Sequence, residues 1–323
     1  MAIDCPELSV VVPSHERPLR LRWLLNALDQ QSLDRSLWEV VVCHDSTGEE
    51  TDQLLRSHPL AATGNLRFTS LPPGTGTPGA NRNAALRLAR APTIVFTDDD
   101  CRPPDEWLEH VRAAVQRHPG AIIQGRVEGD PDEQAMRHSS YPRGQFFPHV
   151  PRPWAECCNI VYPRKLVESI GGFVEDVYTG EDTDLNIRAR AAGGRYVGDE
   201  EMLNYHAIEE GTLLDWVRGA WAWGDLALLL KRHPEFRRHF QLGVFWKYTH
   251  VWLPLALLGV YLERRSPLWG LLVVPWAIQW EPRHHGKRGR LRHLMELPGW
   301  AVIDLAEIVS LARASVKHRT VIL

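Results

Sequence analysis

Three consecutive carboxylates, Asp98, Asp99 and Asp100, follow the apolar run 93–97. Successive strand residues point to opposite faces, so Asp98 and Asp100 share one side and Asp99 faces away where that geometry persists. Two like charges held that close repel by about 1 kcal/mol in water and about 4 kcal/mol near a protein surface. A divalent cation removes the repulsion. Oxygen ligands of this kind suit Mg²⁺ or Mn²⁺, with substrate phosphate and water completing the shell. The alternative is a helix start: Pro103, Pro104, Asp105 and Glu106 precede the stripe Trp107, Leu108, Val111 and Val115, and carboxylates favour that end of a helix dipole. Asp105 and Glu106 already fill that place, which favours the cation for the triplet. A second acidic group, Gly180-Glu181-Asp182-Thr183-Asp184, opens a helical pattern with Leu185, Ile187, Arg188 and Ala191. N-terminal capping alone accounts for Asp and Thr there.

The elements around these groups alternate. The pattern predicts a strand over 8–12, the turn Pro13-Ser14-His15-Glu16-Arg17-Pro18, and a helix with Leu21, Leu24, Leu25 and Leu28 at i, i+3, i+4 and i+7. A strand over 38–43 ends at His44-Asp45-Ser46-Thr47, before a helix over 49–57. A strand over 66–71 runs into a Gly/Pro loop, 72–79, before a helix over 80–90. Strand 93–97, helix 105–117 and strand 121–127 follow. The order predicts an α/β fold with a mostly parallel sheet flanked by helices, whose ligands belong at the carboxyl ends of the strands. Ser14, Asp45, the Gly/Pro loop and the Asp triplet all lie at such ends. Beyond them, 129–153 lacks periodicity and reads as a surface loop or lid. A strand over 157–162, a short helix over 164–170 and the turn Gly171-Gly172-Phe173 complete this part.

With 44% hydrophobic and 24% charged residues, the 323-residue chain is an ordinary core-forming protein of one large α/β domain, or one plus an appendage. Its formal charge of -3 argues against a nucleic-acid partner. The average hides a basic end: 281–323 carries eight Lys and Arg against four acidic residues. Five cysteines without a C-x-x-C pair read as reduced thiols of a cytosolic protein, and no export signal opens the chain.

In order and spacing the chain resembles the inverting family 2 glycosyltransferases of GT-A fold. The resemblance covers roughly 8–210. It rests on Val10-Val11-Val12-Pro13-Ser14, 39–45, Pro78-Gly79-Ala80-Asn81-Arg82-Asn83, Asp98-x-Asp100, Asn159 before Gly171-Gly172-Phe173, and Gly180-Glu181-Asp182-x-Asp184-Leu185. The family commonly has Thr at Ser14 and Asp at His44. The resemblance implies a UDP- or GDP-sugar donor, with Asp45 and the Pro13-Ser14 backbone at the base. Arg17, Gly79, Arg82, Asp98 and Asp99 join the donor set, Arg82 near the ribose and diphosphate. Asp100 becomes a ligand of Mn²⁺ or Mg²⁺. His206 matches a third metal ligand of some relatives, or is simply packed. Asp182 resembles the family's general base. Glu181, Asp184 and Trp154 are candidates for acceptor contact, the two carboxylates equally readable as caps. Other uses of the same carboxylates are nucleotidyl or phosphoryl transfer, and nucleotide-sugar binding without catalysis.

The boundary is expected at 211, with a helical region over 212–323. It begins with a Trp-rich helix, 212–231, whose aromatics suit a core or an acceptor wall. The stretches 242–262 and 268–280 are apolar, yet neither is a clean span of about 20 residues. Trp246, Trp252, Trp269, Trp276 and Trp280, with the basic run Arg283, Lys287, Arg288, Arg290 and Arg292 and an amphipathic helix over 294–312, suggest a hairpin and helix on an anionic membrane surface. That reading places the protein peripherally on the inner face of the cell membrane, acting on a lipid or polysaccharide acceptor. The alternatives are a helical subdomain and a homodimer interface.

Overall fold

The computed structural model describes residues 6–280 and 286–323, and their side chains apart from those of 286–290. It divides into two units, Met1–Gln134 with Gly144–Ile208, and Ala135–Arg143 with Glu209–Leu323. In chain order the elements are β1 (Leu8–Ser14), α1 (Pro18–Asp29), β2 (Trp38–His44), α2 (Glu50–Ser57), α3 (Pro59–Thr63), β3 (Leu66–Ser70), α4 (Pro78–Leu88), β4 (Thr93–Phe96), α5 (Trp107–Arg117) and β5 (Ile122–Gly129). Then come β6 (Tyr141–Arg143), β7 (Ile160–Pro163), α6 (Arg164–Ser169), α7 (Glu181–Ala191), β8 (Tyr196–His206), β9 (Glu209–Gly211), α8 (Leu213–Gly219), α9 (Leu226–Arg232), α10 (Tyr248–Leu262), α11 (Val274–Ala277) and α12 (Gly286–His318).

The first unit is a seven-stranded sheet in the order β3-β2-β1-β4-β7-β5-β8. All its pairs are parallel except those of β7, which runs antiparallel between β4 and β5. Strand alternation explains the two layers. Val10, Val12, Val40 and Val42 pack on one face with the leucines of α1 and Trp107, Leu108 and Val111 of α5. Val11, Val41, Ile94, Phe96 and Ile160 face the other way, against Ala84 and Ala85 of α4 and Leu185 and Ala189 of α7. Burial on both faces is why these strands read as continuous apolar runs.

Several boundaries differ from expectation. The strand expected over 93–97 stops at Phe96, because Thr97 turns its hydroxyl onto the Cys158 carbonyl (3.1 Å) and the chain then closes a turn, Cys101 N–H to Asp98 O (3.2 Å). The Asp triplet is therefore a turn rather than the end of a strand. The strand expected over 157–162 is confined to Ile160–Pro163. The loop expected over 129–153 contains β6, which pairs antiparallel with β9 in the second unit.

The single helix expected over 212–231 is broken. A 3₁₀ stretch, Ala220–Asp225, separates α8 from α9. A Cβ on Gly224 would lie 3.3 Å from Ala314 Cβ, so tight turns and a bare backbone let this segment approach α12. No helix among the described residues is long and apolar enough to cross a membrane. Of the basic run, Arg283 and the side chains of Lys287, Arg288 and Arg290 lie outside the described residues, whereas Arg292 pairs with Glu296 at 2.9 Å. Cys43, Cys101, Cys157 and Cys158 are buried free thiols, and Cys5 lies outside the described residues.

A buried polar cluster joins α10 to α12. Glu307 accepts two hydrogen bonds from Lys247, each at 2.8 Å, and lies 3.0 Å from His250 Nε2, while Asp304 accepts from Thr249 and from Trp276 Nε1. Burial opposes ionisation of Glu307, but His250 and Lys247 outweigh it and hold its carboxyl below the usual range. Removing one partner of a buried network leaves the others uncompensated, at a cost of about 3–5 kcal/mol. Glu307→Gln is expected to lower the stability of this unit by that order, read by denaturant unfolding followed through tryptophan fluorescence. A loss below about 1 kcal/mol, the range of exposed pairs, would mean that the cluster contributes little.

Candidate active site

The carboxyl ends of β1, β2 and β4 and the start of α7 carry a set of ionisable side chains. The Asp turn is anchored from beneath by β8: Arg102 N–H donates to Tyr205 O (2.8 Å) and Ala207 N–H to Asp100 O (2.9 Å). That bridge carries His206 to the turn, with Nε2 3.4 Å from Asp100 Oδ1. His206 Nδ1 lies 3.0 Å from the Ala207 carbonyl. With Nδ1 directed at that carbonyl, Nε2 is the nitrogen presented to Asp100, the orientation usual in metal-ligating histidines.

Ligand atoms of Asp98, Asp100 and His206 all lie within 4.8 Å of one another. Octahedral Mg²⁺ or Mn²⁺ at about 2.1 Å from each oxygen separates its ligands by about 3–4 Å, so the donor set fits such an ion. Asp98 and Asp100 are thus brought to one side by the turn, not by strand alternation. Asp99 is buried, accepts from Ser14 Oγ at 2.7 Å, and is pushed up to about 7 by burial and by its neighbour Asp100.

Two arginines neutralise the turn. Arg17 Nη1 donates to Asp100 Oδ2 at 2.7 Å and lies 3.7 Å from Asp99. Burial opposes ionisation of Asp100, yet His206 and Arg17 outweigh it and hold its carboxyl below the ordinary value. Arg82, on α4, donates through Nη2 to Asp98 and through Nη1 to Glu181, both at 2.7 Å. Its burial disfavours the charge, but Asp98, with Glu181 and Asp182, keeps it firmly protonated. One guanidinium therefore stands between the Asp turn and the acidic start of α7.

That start is set by Gly180, whose φ of 88° lies in the left-handed region open to glycine. The N-cap residue is Gly180, which has no side chain to cap the helix, and of the acidic cluster only Asp182 takes a backbone N–H of the first turn, so capping accounts for Asp182 in part and leaves Glu181 and Asp184 to other partners. Glu181 is buried against Arg82. Asp182 is partly exposed, and its Oδ1 accepts from Thr183 N–H at 2.7 Å. Burial and the charge of Glu181 drive the Asp182 carboxyl well above its ordinary value. Thr183 Oγ donates to the Trp154 carbonyl (2.8 Å), which places the partly exposed Trp154 beside the same helical turn. Asp184 points elsewhere: it is buried and bonded to Arg188, which also donates to the carbonyls of Ile170 and Gly172. Its carboxylate is engaged in holding α7 to that turn.

At the end of β2, Asp45 is fully buried. It accepts from Asn81 Nδ2 and Gly76 N–H, and His15 lies 3.0 Å away. Its carboxylate organises the Gly/Pro loop, and His15, with a side chain 57% exposed, is the group presented outward. Pro13 pairs in register with Cys43. Gly79 is explained by packing, since a Cβ there would lie 2.3 Å from Val174 O. Asn81 and Gly76 were missed as partners of Asp45. Their only signal was adjacency to Arg82 and to the loop glycines.

Residues 9–171 match the family model described as glycosyl transferase family 2. The chain belongs to that family. Curated relatives include the glycosyltransferase AglE of Haloferax volcanii, 24% identical over 64% of this chain and 68% of its own length. The pre-mycofactocin glycosyltransferase of Mycobacterium tuberculosis is 29% identical over 71% of this chain, which spans 48% of that relative. Among solved structures, the mannosyltransferase PcManGT of Pyrobaculum calidifontis, in complex with GDP-Man and Mn²⁺, superposes with a TM-score of 0.59 at 17% identity, over 98% of this chain and 88% of its own. A Staphylococcus aureus TarS fragment bound to UDP-GlcNAc gives 0.53 at 17% identity, over 97% and 92%. The α/β sheet described above is thus the GT-A fold, and the chain is a family 2 glycosyltransferase.

Proposed function

We propose that this glycosyltransferase moves a sugar from a nucleoside diphosphate donor to an acceptor hydroxyl with inversion at the anomeric carbon, and that the transfer depends on Mn²⁺ or Mg²⁺ held by Asp98, Asp100 and His206. The observation that carries the reading is Arg82, bonded at once to Asp98 of the Asp turn and to Glu181 beside Asp182. When bound, the ion supplies charge stabilisation to the departing diphosphate. Arg82 and Arg17 offer guanidinium groups suited to the phosphate oxygens. Glu181 keeps Arg82 charged and fixed in place. Asp182 takes the proton from the acceptor hydroxyl as that oxygen attacks, and its raised affinity for protons suits the task. The neighbours bound to GDP-Man and UDP-GlcNAc motivate trying both nucleotides.

Incubation with Mn²⁺ and a panel of UDP- and GDP-sugars tests the reaction class. Release of intact nucleoside diphosphate with sugar transfer supports the reading. Release of pyrophosphate favours nucleotidyl transfer, and binding without turnover a silent module.

We further infer that the second unit brings the enzyme to an anionic membrane surface on the cytoplasmic side, where a lipid-linked or polysaccharide acceptor is presented. Leu257, Leu258, Val260, Tyr261, Leu271 and Ile278 are exposed, and Leu268 is 73% exposed. The 3₁₀ segment Pro267–Val273 approaches α10 closely, since a Cβ on Gly259 would lie 2.7 Å from Trp269 O. Arg264 and Arg265 flank this surface in the intervening turn. The enzyme is expected to float with phosphatidylglycerol vesicles and less with neutral ones, and the Leu268→Glu, Leu271→Glu double variant to stay behind. Flotation unchanged in that variant would remove this surface from consideration, and a concentration-dependent dimer lost in it would assign the surface to a second copy.

A further inference from the structure

We propose that Arg17 is an internal counter-ion that occupies Asp100 until a donor diphosphate arrives to receive its guanidinium, so that cation and donor enter as a pair. The inference rests on the metal-dependent reading above. The turn carrying Arg17 is fixed: Glu16 adopts φ 53°, its Oε1 accepts from Thr47 N–H at 2.6 Å, and its own N–H donates to Ser46 Oγ at 3.1 Å. Arg17 then takes the N-cap position of α1, where its side chain caps nothing. It reaches the Asp turn, 2.7 Å from Asp100 Oδ2.

The two arginines at the turn differ in exposure. The Arg82 side chain is 6% exposed, bonded to two carboxylates, and lies over the Phe173 ring at 5.5 Å. The Arg17 side chain is 39% exposed, whereas that of Asp100 is 10% exposed. A long side chain reaching in from solvent can swing away, and the carboxylate beneath it cannot. A cation that approaches without nucleotide competes with Arg17 for Asp100. A diphosphate offers Arg17 an oxygen-rich partner matched to its planar fork, and the carboxylate is then released to the ion. Linkage makes the effect reciprocal: each ligand raises the affinity of the other by the same factor.

Mn²⁺ binding to the full chain, followed by electron paramagnetic resonance with and without UDP or GDP, tests this without reference to turnover. Arg17→Met is expected to bind Mn²⁺ at least tenfold more tightly than wild type without nucleotide, and to lose at least tenfold of the coupling between Mn²⁺ and nucleotide. Arg17→Lys, which keeps a charge but not the fork, should fall between. Unchanged or weaker Mn²⁺ binding in Arg17→Met, where Asp100→Ala abolishes binding, overturns the counter-ion role and leaves the metal reading standing. Mn²⁺ binding that survives in Asp100→Ala removes both.

Discussion

Asp182→Asn is expected to lower the rate of sugar transfer by about 10²–10⁴-fold, the contribution typical of a positioned base, while leaving Mn²⁺-dependent donor binding close to wild type. Asn keeps the shape of the side chain and can still accept from Thr183 N–H, which bonds Asp182 at 2.7 Å. It removes only the capacity to take a proton. The pH dependence follows from the same group. Burial and Glu181 hold its carboxyl well above the ordinary value, and the ionised form is the active one. Transfer in the wild type should therefore climb with pH in a range well above the value of about 4 expected of an ordinary aspartate, and fall as pH drops through that range. A variant with full transfer, or a profile already flat by about pH 5, would assign the base elsewhere. Neighbouring Glu181 is a poor substitute, because its carboxylate is buried and paired with Arg82 at 2.7 Å.

Asp100→Ala produces the opposite pattern. It removes one of the three groups whose ligand atoms gather within 4.8 Å. Loss of outer partners of a metal site alone costs about 10–100-fold in affinity, so loss of a direct ligand should weaken Mn²⁺-dependent donor binding by more than about 100-fold. Transfer falls with it. Isothermal titration of UDP and GDP in the presence of Mn²⁺ separates the two variants: one binds without reacting, the other fails to bind. If Asp100→Ala bound donor normally and lost only the chemical step, the division of labour between the Asp turn and α7 would have to be redrawn.

Much of the first unit was legible because its strands are buried on both faces and its helices carry apolar stripes. The periodicity of 8–28 needed no tertiary information, although β1 continues to Ser14 and β2 to His44, past the ends expected at 12 and 43. The Asp turn shows where such reading stops. Asp98 and Asp100 were paired by strand alternation, yet β4 ends at Phe96, and a turn braced by β8 brings them together. The partner of Asp100 on β8, His206, is more than a hundred residues away in sequence. Periodicity is blind to such contacts, and only the family resemblance pointed to it. Arg82 was expected among the donor contacts, but its bond to Glu181 was invisible, because a buried guanidinium needs two counter-charges that the fold alone supplies. Asp184 shows the reverse, an acid whose neighbours in sequence suggested the substrate while the fold gave it Arg188. The second unit was the least legible, since the 3₁₀ stretch Ala220–Asp225 interrupts what reads as one continuous helix.

The strand Tyr141–Arg143 lies between segments of the catalytic sheet in sequence, yet it is hydrogen-bonded to Glu209–Gly211 of the second unit. The helical part is accordingly not a cassette that can be excised at one point. A polypeptide beginning at residue 209 would lack the partner of its first strand, leaving a bare edge prone to self-association. One ending at residue 208 would carry an orphan strand in its middle. Replacing the tail by another therefore calls for two coordinated grafts, one at 209–323 and one at the internal loop that carries its partner strand.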